Sequence, residues 1–351
     1  MTDTRTFGTL PDGREVTAYQ LGEPEGLSVT VLDRGATIHR LQVPSRGRPG
    51  GDPVNLALGF ATLEGYLASD AYVGAVVGRY ANRIAHGSFG LDGTTYRLAA
   101  NEGANCLHGG IEGFDARIWE VVGSPSADRL VLRLVSADGD QGFPGRLEVL
   151  AAYHVGDGAL TLDLQARTDA PTVVSLTSHV YLNLGGEGSG SVDGHLLAVD
   201  ADAYLPVDAE GIPLMPDGAL SSVDDTPFDL RKPARVGDRV RSRHEQIGAA
   251  GGIDHSFHLS GSGFRRAVRL DDPASGRGLE LWTDQVAVQV YTGNSLDGST
   301  IGTSGRRYRC GDGIALETQH HPDAPNRAAL PSPVLRPGQV YAARTRWRLR
   351  W

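Results

Sequence analysis

The stretch Ser88-Phe89-Gly90-Leu91-Asp92-Gly93-Thr94-Thr95-Tyr96-Arg97-Leu98 sets β-forming residues on both sides of an Asp-Gly pair, which supplies the positive φ angles a tight hairpin turn needs. The same pattern repeats outward from it. Forty-seven glycines and nineteen prolines punctuate short apolar alternations. No segment of about a dozen residues keeps a helical period. Upstream, strands are expected at 27–32, 37–43 and 54–60, followed by a short helix at 62–67. Downstream, 130–135, 147–155 and 159–166 alternate in the same way, the last two joined across Gly156-Asp157-Gly158. A longer strand is expected over 172–184, running into the glycine-rich loop 185–194. Residues 203–251 are richer in Pro, Asp and Arg and read as an excursion over the surface. Strands resume at 256–259, 267–270, 279–283 and 286–292, and the chain closes with 339–351, where Val340, Ala342, Trp347, Leu349 and Trp351 alternate with arginines. With no internal repeat and no low-complexity linker, the expectation is an all-β chain. It forms one large antiparallel β-sandwich domain over residues 1–351.

Charge and composition exclude several functions. A formal charge of −9 opposes the gripping of polyanions, because nucleic-acid binding depends on clustered Lys and Arg displacing counterions. The expectation is a soluble partner or a small neutral ligand, with no nucleic acid. Lys232 is the only lysine and lies in a polar run, so Schiff-base and pyridoxal chemistry are not expected. Cys106 and Cys310 have no metal or redox spacing; two free thiols are expected, with one long-range bridge as the alternative. The first residues form no apolar run, and no segment reaches membrane-spanning length. A cytoplasmic protein that does not engage a membrane is the expectation.

The stretch 313–323 begins as an alternating strand and ends in a polar loop at Pro322, which puts Glu317 where an apolar strand meets a more open edge. By itself such an acid is more often structural or merely solvated than catalytic. Period-two alternation places His179, Tyr181 and Asn183 on one face, as a polar wall. His179 reads either as a fixed imidazole for proton transfer or as a satisfied core histidine. His108 precedes Gly109-Gly110, which would let a ligand approach the backbone closely; a turn histidine bonded to a local carbonyl is the other reading. Asp254 follows Gly251-Gly252 and suits either ligand hydroxyls or turn chemistry, and Gln289 suits either a ligand or a bond between strands. Asn82-Arg83 completes the set. His320 and His321 are neighbours that an extended chain points to opposite sides, so no metal is expected there.

Taken together, these stretches resemble the aldose 1-epimerase, or galactose mutarotase, family. The resemblance rests on Gly74 to Ile84, Asn105 to Gly110, Asp138 to Gly145, Leu176 to Leu184, Gly252 to Phe257, Gln289 to Asn294 and Leu316 to Asn326, in the family's order over about residues 25–350. It implies a supersandwich fold and interconversion of the α and β anomers of a free aldose such as galactose or glucose. No cofactor and no metal are implied. It also assigns Glu317 as general base, His179 as general acid and His108 as a second histidine near the ring oxygen. Asn82, Arg83, Asp254 and Gln289 match positions that bind sugar hydroxyls. Leu182 and His321 depart from the family pattern and are expected to reshape the pocket wall.

The residue types suit the reaction. Opening a pyranose removes a proton from the C1 hydroxyl while another reaches the ring oxygen, so a base and an acid must flank one bond. A carboxylate is ionised near neutrality, and a histidine can be held protonated by a nearby acid. Three competing functions remain: a non-catalytic sugar-binding sandwich, a sugar-phosphate mutarotase using Arg306 and Arg307, and a glycoside hydrolase pairing Asp254 with Glu317. The oligomeric state is left between monomer and homodimer.

Overall fold

The computed structural model describes residues 3–23, 25–45, 51–215 and 219–351; Met1 and Thr2 of the amino-terminal stretch, and 216–218 of the expected surface excursion, lie outside them. Every strand ladder among these residues is antiparallel. A nine-stranded sheet runs from Glu120–Val121 through Arg129–Ser136, Leu147–Gly156, Ala159–Thr168, Tyr341–Arg350, Arg277–Thr283, Arg265–Asp272 and Leu196–Val199 to Ala234–Arg235. A six-stranded sheet is ordered Tyr181–Leu182, Ile314–Gln319, Ala287–Tyr291, Asp254–Leu259, Ala201–Leu205, Ser221–Ser222. Five strands between Asp3 and Asn55 form a third sheet. The hairpin that opened the sequence reading spans Ser88–Leu91 and Thr94–Arg97, with Asp92 and Gly93 both at positive φ.

The six- and nine-stranded sheets bury their facing sides in one core. Leu316, Val288, Val290 and Phe257 from the first meet Leu132, Leu164, Leu281 and Trp347 from the second. Thr318, on the same side of its strand as Leu316, hydrogen-bonds Thr345 across the gap. Alternation therefore turns Glu317 to the other face, away from the core between the sheets.

Four local expectations are corrected. The segment 172–184 is three two-residue strands with three partners: Thr172–Val173 pairs with Val334–Leu335, Thr177–Ser178 with Val76–Val77, and Tyr181–Leu182 with Ile314–Gln319. Its β-formers read as one strand because propensity is local, whereas the partner is a tertiary choice. The polar wall consequently ends at Tyr181. Asn183 instead donates its amide to Gly190 O at 2.6 Å and Asp312 O at 2.9 Å, holding the glycine-rich loop. The segment 203–251 is not a surface excursion alone, since Val223, Phe228, Leu230, Val236 and Ile247 enter the core. It also carries a short helix, Glu245–Ala250, ended by Gly251 at φ 67°. Of 54–60 only Val54–Asn55 forms a strand, and in Tyr341–Arg350 the residues turned inward are Tyr341, Ala343, Thr345, Trp347 and Leu349, so Trp347 and Leu349 face inward as expected while Val340 and Ala342 are exposed.

Burial of imidazoles makes stability depend on pH. Desolvation pushes His39, His255 and His321 down to about 3, and His320 to about 4. In the unfolded chain these groups titrate near the ordinary value, so between that value and the folded one unfolding takes up protons. Each then removes about 1.4 kcal/mol of stability per unit as pH falls. Glu317, whose folded pKa is raised, works in the opposite direction over this window. The melting temperature is expected to fall steeply from pH 7 to pH 5 in calorimetry. An unchanged melting temperature would show that the buried imidazoles are already charged.

Candidate active site

The outward face of the six-stranded sheet forms the floor of a cleft of about 670 Å³. Gln289 stands opposite Glu317 in the ladder between Ala287–Tyr291 and Ile314–Gln319, and Asp254 opposite Tyr291 in the next. Glu317 is three residues into its strand and 2% exposed, so it lies within the sheet and not at a frayed end. His179 and Tyr181 reach the cleft from the neighbouring segment, and Asn82, Arg83 and His108 from the loops above.

The cleft brings His108, His179 and Glu317 together, one ligand-type atom of each lying within 4.8 Å of the others. Glu317 Oε1 is 3.7 Å from His179 Nε2. The rings of His108 and His179 meet edge-on at 5.2 Å. Tyr72, Tyr181 and Tyr291 ring His179 with centroids at 6.0, 4.9 and 6.2 Å. Glu317 Oε2 and His179 Nδ1 are buried with no hydrogen-bond partner among the described residues, an unused polar capacity that is rare in a folded protein.

His108 has its tautomer set by the backbone. Its φ is 50°, and its Nδ1 accepts a hydrogen bond from the Asn82 N–H at 3.1 Å. A neutral ring whose Nδ1 accepts must carry its proton on Nε2. Metal-binding histidines show the reverse arrangement, donating the second N–H to an acceptor so that the other nitrogen is free for the metal. The trio therefore has the composition of a metal site but not its hydrogen bonding. His108 is instead a fixed N–H donor.

Burial shifts the charges strongly. Desolvation lifts Glu317 well above the ordinary carboxylate range, reinforced by Asp254 and opposed by Arg83. Desolvation pushes His179 down to about 4, and it holds His108 well below its ordinary value, aided by His179 and Arg83. For His179 desolvation is the larger effect and a backbone hydrogen bond opposes it. Burial thus favours the neutral form of both groups.

At the other end of the cleft Arg83 pairs with Glu102, Nε to Oε2 at 2.6 Å and Nη2 to Oε1 at 2.8 Å. Its Nη1 is 3.8 Å from Asp254 Oδ2. Gln289 is buried behind this wall and donates its amide to Asp254 Oδ1 at 2.6 Å, so it touches Asp254 and does not line the cleft. Asn82 lines the cleft, while its side-chain oxygen accepts the Arg83 N–H at 2.8 Å.

Several other expectations are settled by position. Leu182 lies in the core between the sheets, and His321 stacks on His258 at 5.2 Å and bonds Ser256 at 2.9 Å, so neither forms the pocket wall. Gly109, at φ 96°, lies where a Cβ would come within 2.1 Å of the Gly78 carbonyl oxygen. The freedom of that glycine serves the chain's own crossing and not a ligand. Arg306 and Arg307 are outside the cleft, and Arg307 is bonded to the Gly298 and Ser299 carbonyls. Cys106 and Cys310 are free thiols, one buried and one exposed. Sequence reasoning missed Tyr72 and Glu102. Tyr72 sits in no motif, and Glu102 lies just ahead of the block at Asn105, where its position beside Arg83 is the only sign of a role.

Known proteins resemble this chain along nearly its whole length. The family model for aldose 1-epimerase matches residues 17–348. The chain is 43% identical to galactose mutarotase of Bos taurus over 95% of this chain and 94% of that protein. It is 39% identical to aldose 1-epimerase of Escherichia coli over 97% of each. The crystal structure of galactose 1-epimerase from Lactobacillus acidophilus superposes with a TM-score of 0.86 at 28% identity, covering 100% of this chain and 98% of that one.

Proposed function

This chain belongs to the aldose 1-epimerase family and interconverts the α and β anomers of aldoses, and from that premise we propose that Glu317 and His179 move the protons. The observation that carries the assignment is the pair itself: a carboxylate and an imidazole 3.7 Å apart, both buried, each with an unpartnered polar atom.

In the forward direction, with the proton the pair shares placed on His179, Glu317 takes the proton of the C1 hydroxyl while His179 delivers its own to O5, and the C1–O5 bond breaks to give the open aldehyde. Rotation about C1–C2 presents the other face of the carbonyl. On reclosure O5 attacks C1, returns its proton to His179, and the carbonyl oxygen recovers one from Glu317. One proton shared between two groups is the inventory this cycle needs, because each group ends as it began. His108 donates its fixed Nε2–H to the ring oxygen region, and neutrality suits a donor that must not give its proton away. Arg83 and Asp254 bind hydroxyls at the far end, Asn82 steadies Arg83 and His108, and Gln289 holds Asp254 in place.

The ligand is a small aldose. The cleft is lined by Asp70, Glu102, Asp254, Asp297 and Glu317 against the single arginine Arg83, a field that favours neutral sugars over sugar phosphates. We further read residues 1–351 as one domain, supported by a core that runs from Leu21 to Leu349, and as a cytoplasmic protein, monomeric or homodimeric. No described helix is long and apolar enough to cross a membrane. Polarimetry of freshly dissolved α-D-glucose, α-D-galactose, xylose and arabinose is expected to show accelerated approach to the anomeric equilibrium, and glucose 6-phosphate to respond less. Saturable sugar binding without acceleration would support an idle binding protein. Release of the aglycone from an aryl glycoside would instead support a hydrolase.

A further inference from the structure

Arg83 is the one arginine or lysine lining the cleft among the described residues, and its guanidinium is held by a carboxylate and by a close-packed glycine. Glu102 grips Nε and Nη2 with both carboxylate oxygens, at 2.6 and 2.8 Å, in a planar fork. Gly211, at φ 74°, lies so close that a Cβ there would stand 2.8 Å from Arg83 Cζ. The turn carrying Gly211 is itself fastened: Asp208 Oδ1 accepts the Glu210 and Ile212 N–H groups, and Asn105 donates its amide to Glu210 Oε2 at 3.0 Å. What remains is the second Nη2–H and the two of Nη1, and Nη1 is the nitrogen that approaches Asp254, across 3.8 Å, a gap too long for a good hydrogen bond.

We propose that Glu102 is a positioning residue for substrate binding: it fixes the rotation of Arg83 so that Nη1 and Asp254 together receive a sugar hydroxyl, donor on one side and acceptor on the other. The proposal rests on the reading that Arg83 binds a hydroxyl. Three observations support it beyond mere ion pairing. The fork consumes the two donors that face away from Asp254, the glycine packs on the guanidinium, and the partner carboxylate of Asp254 is itself steadied by Gln289. An arginine free to rotate would have to be ordered afresh on each binding event, at a cost in affinity and not in chemistry.

The test uses kcat and KM for D-galactose, by polarimetry, with the full-length enzyme and its Arg83→Ala, Glu102→Ala, Glu102→Gln and double Arg83→Ala/Glu102→Ala variants. Loss of a charged fork is expected to raise KM about tenfold in Glu102→Ala with kcat within about threefold, and Glu102→Gln should recover part of the loss. Because Glu102 acts through Arg83, the double variant should be no worse than Arg83→Ala alone. Gly211→Ala, which displaces the guanidinium without touching a charge, should raise KM in the same direction. An unaltered KM in Glu102→Ala overturns the proposal, as do additive losses in the double variant, which would mean that Glu102 touches the sugar directly. If Arg83→Ala itself leaves KM unaltered, the assignment of Arg83 as a binding residue fails too, and the two failures are thereby told apart.

Discussion

Glu317→Gln is expected to lower kcat for mutarotation by about 10³-fold while KM moves little, since a positioned general base contributes about 10² to 10⁴. The substitution keeps the side chain's size and one oxygen, and removes only the capacity to take a proton. It should not damage the fold. The carboxyl is 2% exposed with a pKa raised by desolvation, so an amide in its place relieves a buried ionisable group. A melting temperature at or above wild type, with kcat collapsed, would separate chemistry from folding. An interaction made only in the transition state appears in kcat, so the split between kcat and KM is as informative as the loss itself. Wild-type rates in this variant would sink the assignment.

The second large effect is expected at His179. His179→Asn should also cost about 10²-fold or more in kcat, by removing the partner that carries a proton to and from O5. Its pH profile is the sharper measurement. In the free enzyme the competent state holds one proton between Glu317 and His179. A second proton arrives only as pH falls through the depressed value of His179, about 4. The acid limb of kcat/KM is therefore expected near 4, and the residual activity of His179→Asn should lack that limb. A wild-type limb near the ordinary histidine value would mean that His179 is not desolvated in the working enzyme.

Much of the site was legible in the sequence because its residues sit in compact blocks. Asn82-Arg83, Asn105 to Gly110 and the alternating strand around Glu317 each keep neighbours that point the same way in the fold. Tyr72 was not legible: its φ of 53° and its place against His108, at 4.6 Å, come from a turn that no local pattern marks. Gln289 was legible as part of the site, but its position behind Asp254 follows from the register of two ladders. Leu182 and His321 looked like wall residues because they adjoin Tyr181 and the Glu317 strand, yet alternation and a turn of the chain carry both away from the cleft.

The sequence by itself determined that this is an antiparallel β protein and which polar residues belong together. Alternation and an Asp-Gly turn are short-range properties, set by which face of an extended chain each side chain takes. Tertiary structure alone decided which strand pairs with which, as in the three-way division of 172–184. It also decided the chemical state of the site. The pKa of Glu317 and His179 depends on how much water surrounding segments exclude, and the tautomer of His108 on a backbone N–H that reaches it from Asn82. Neither is a property of a residue and its neighbours in sequence, since both arise from groups brought together only when the chain has folded.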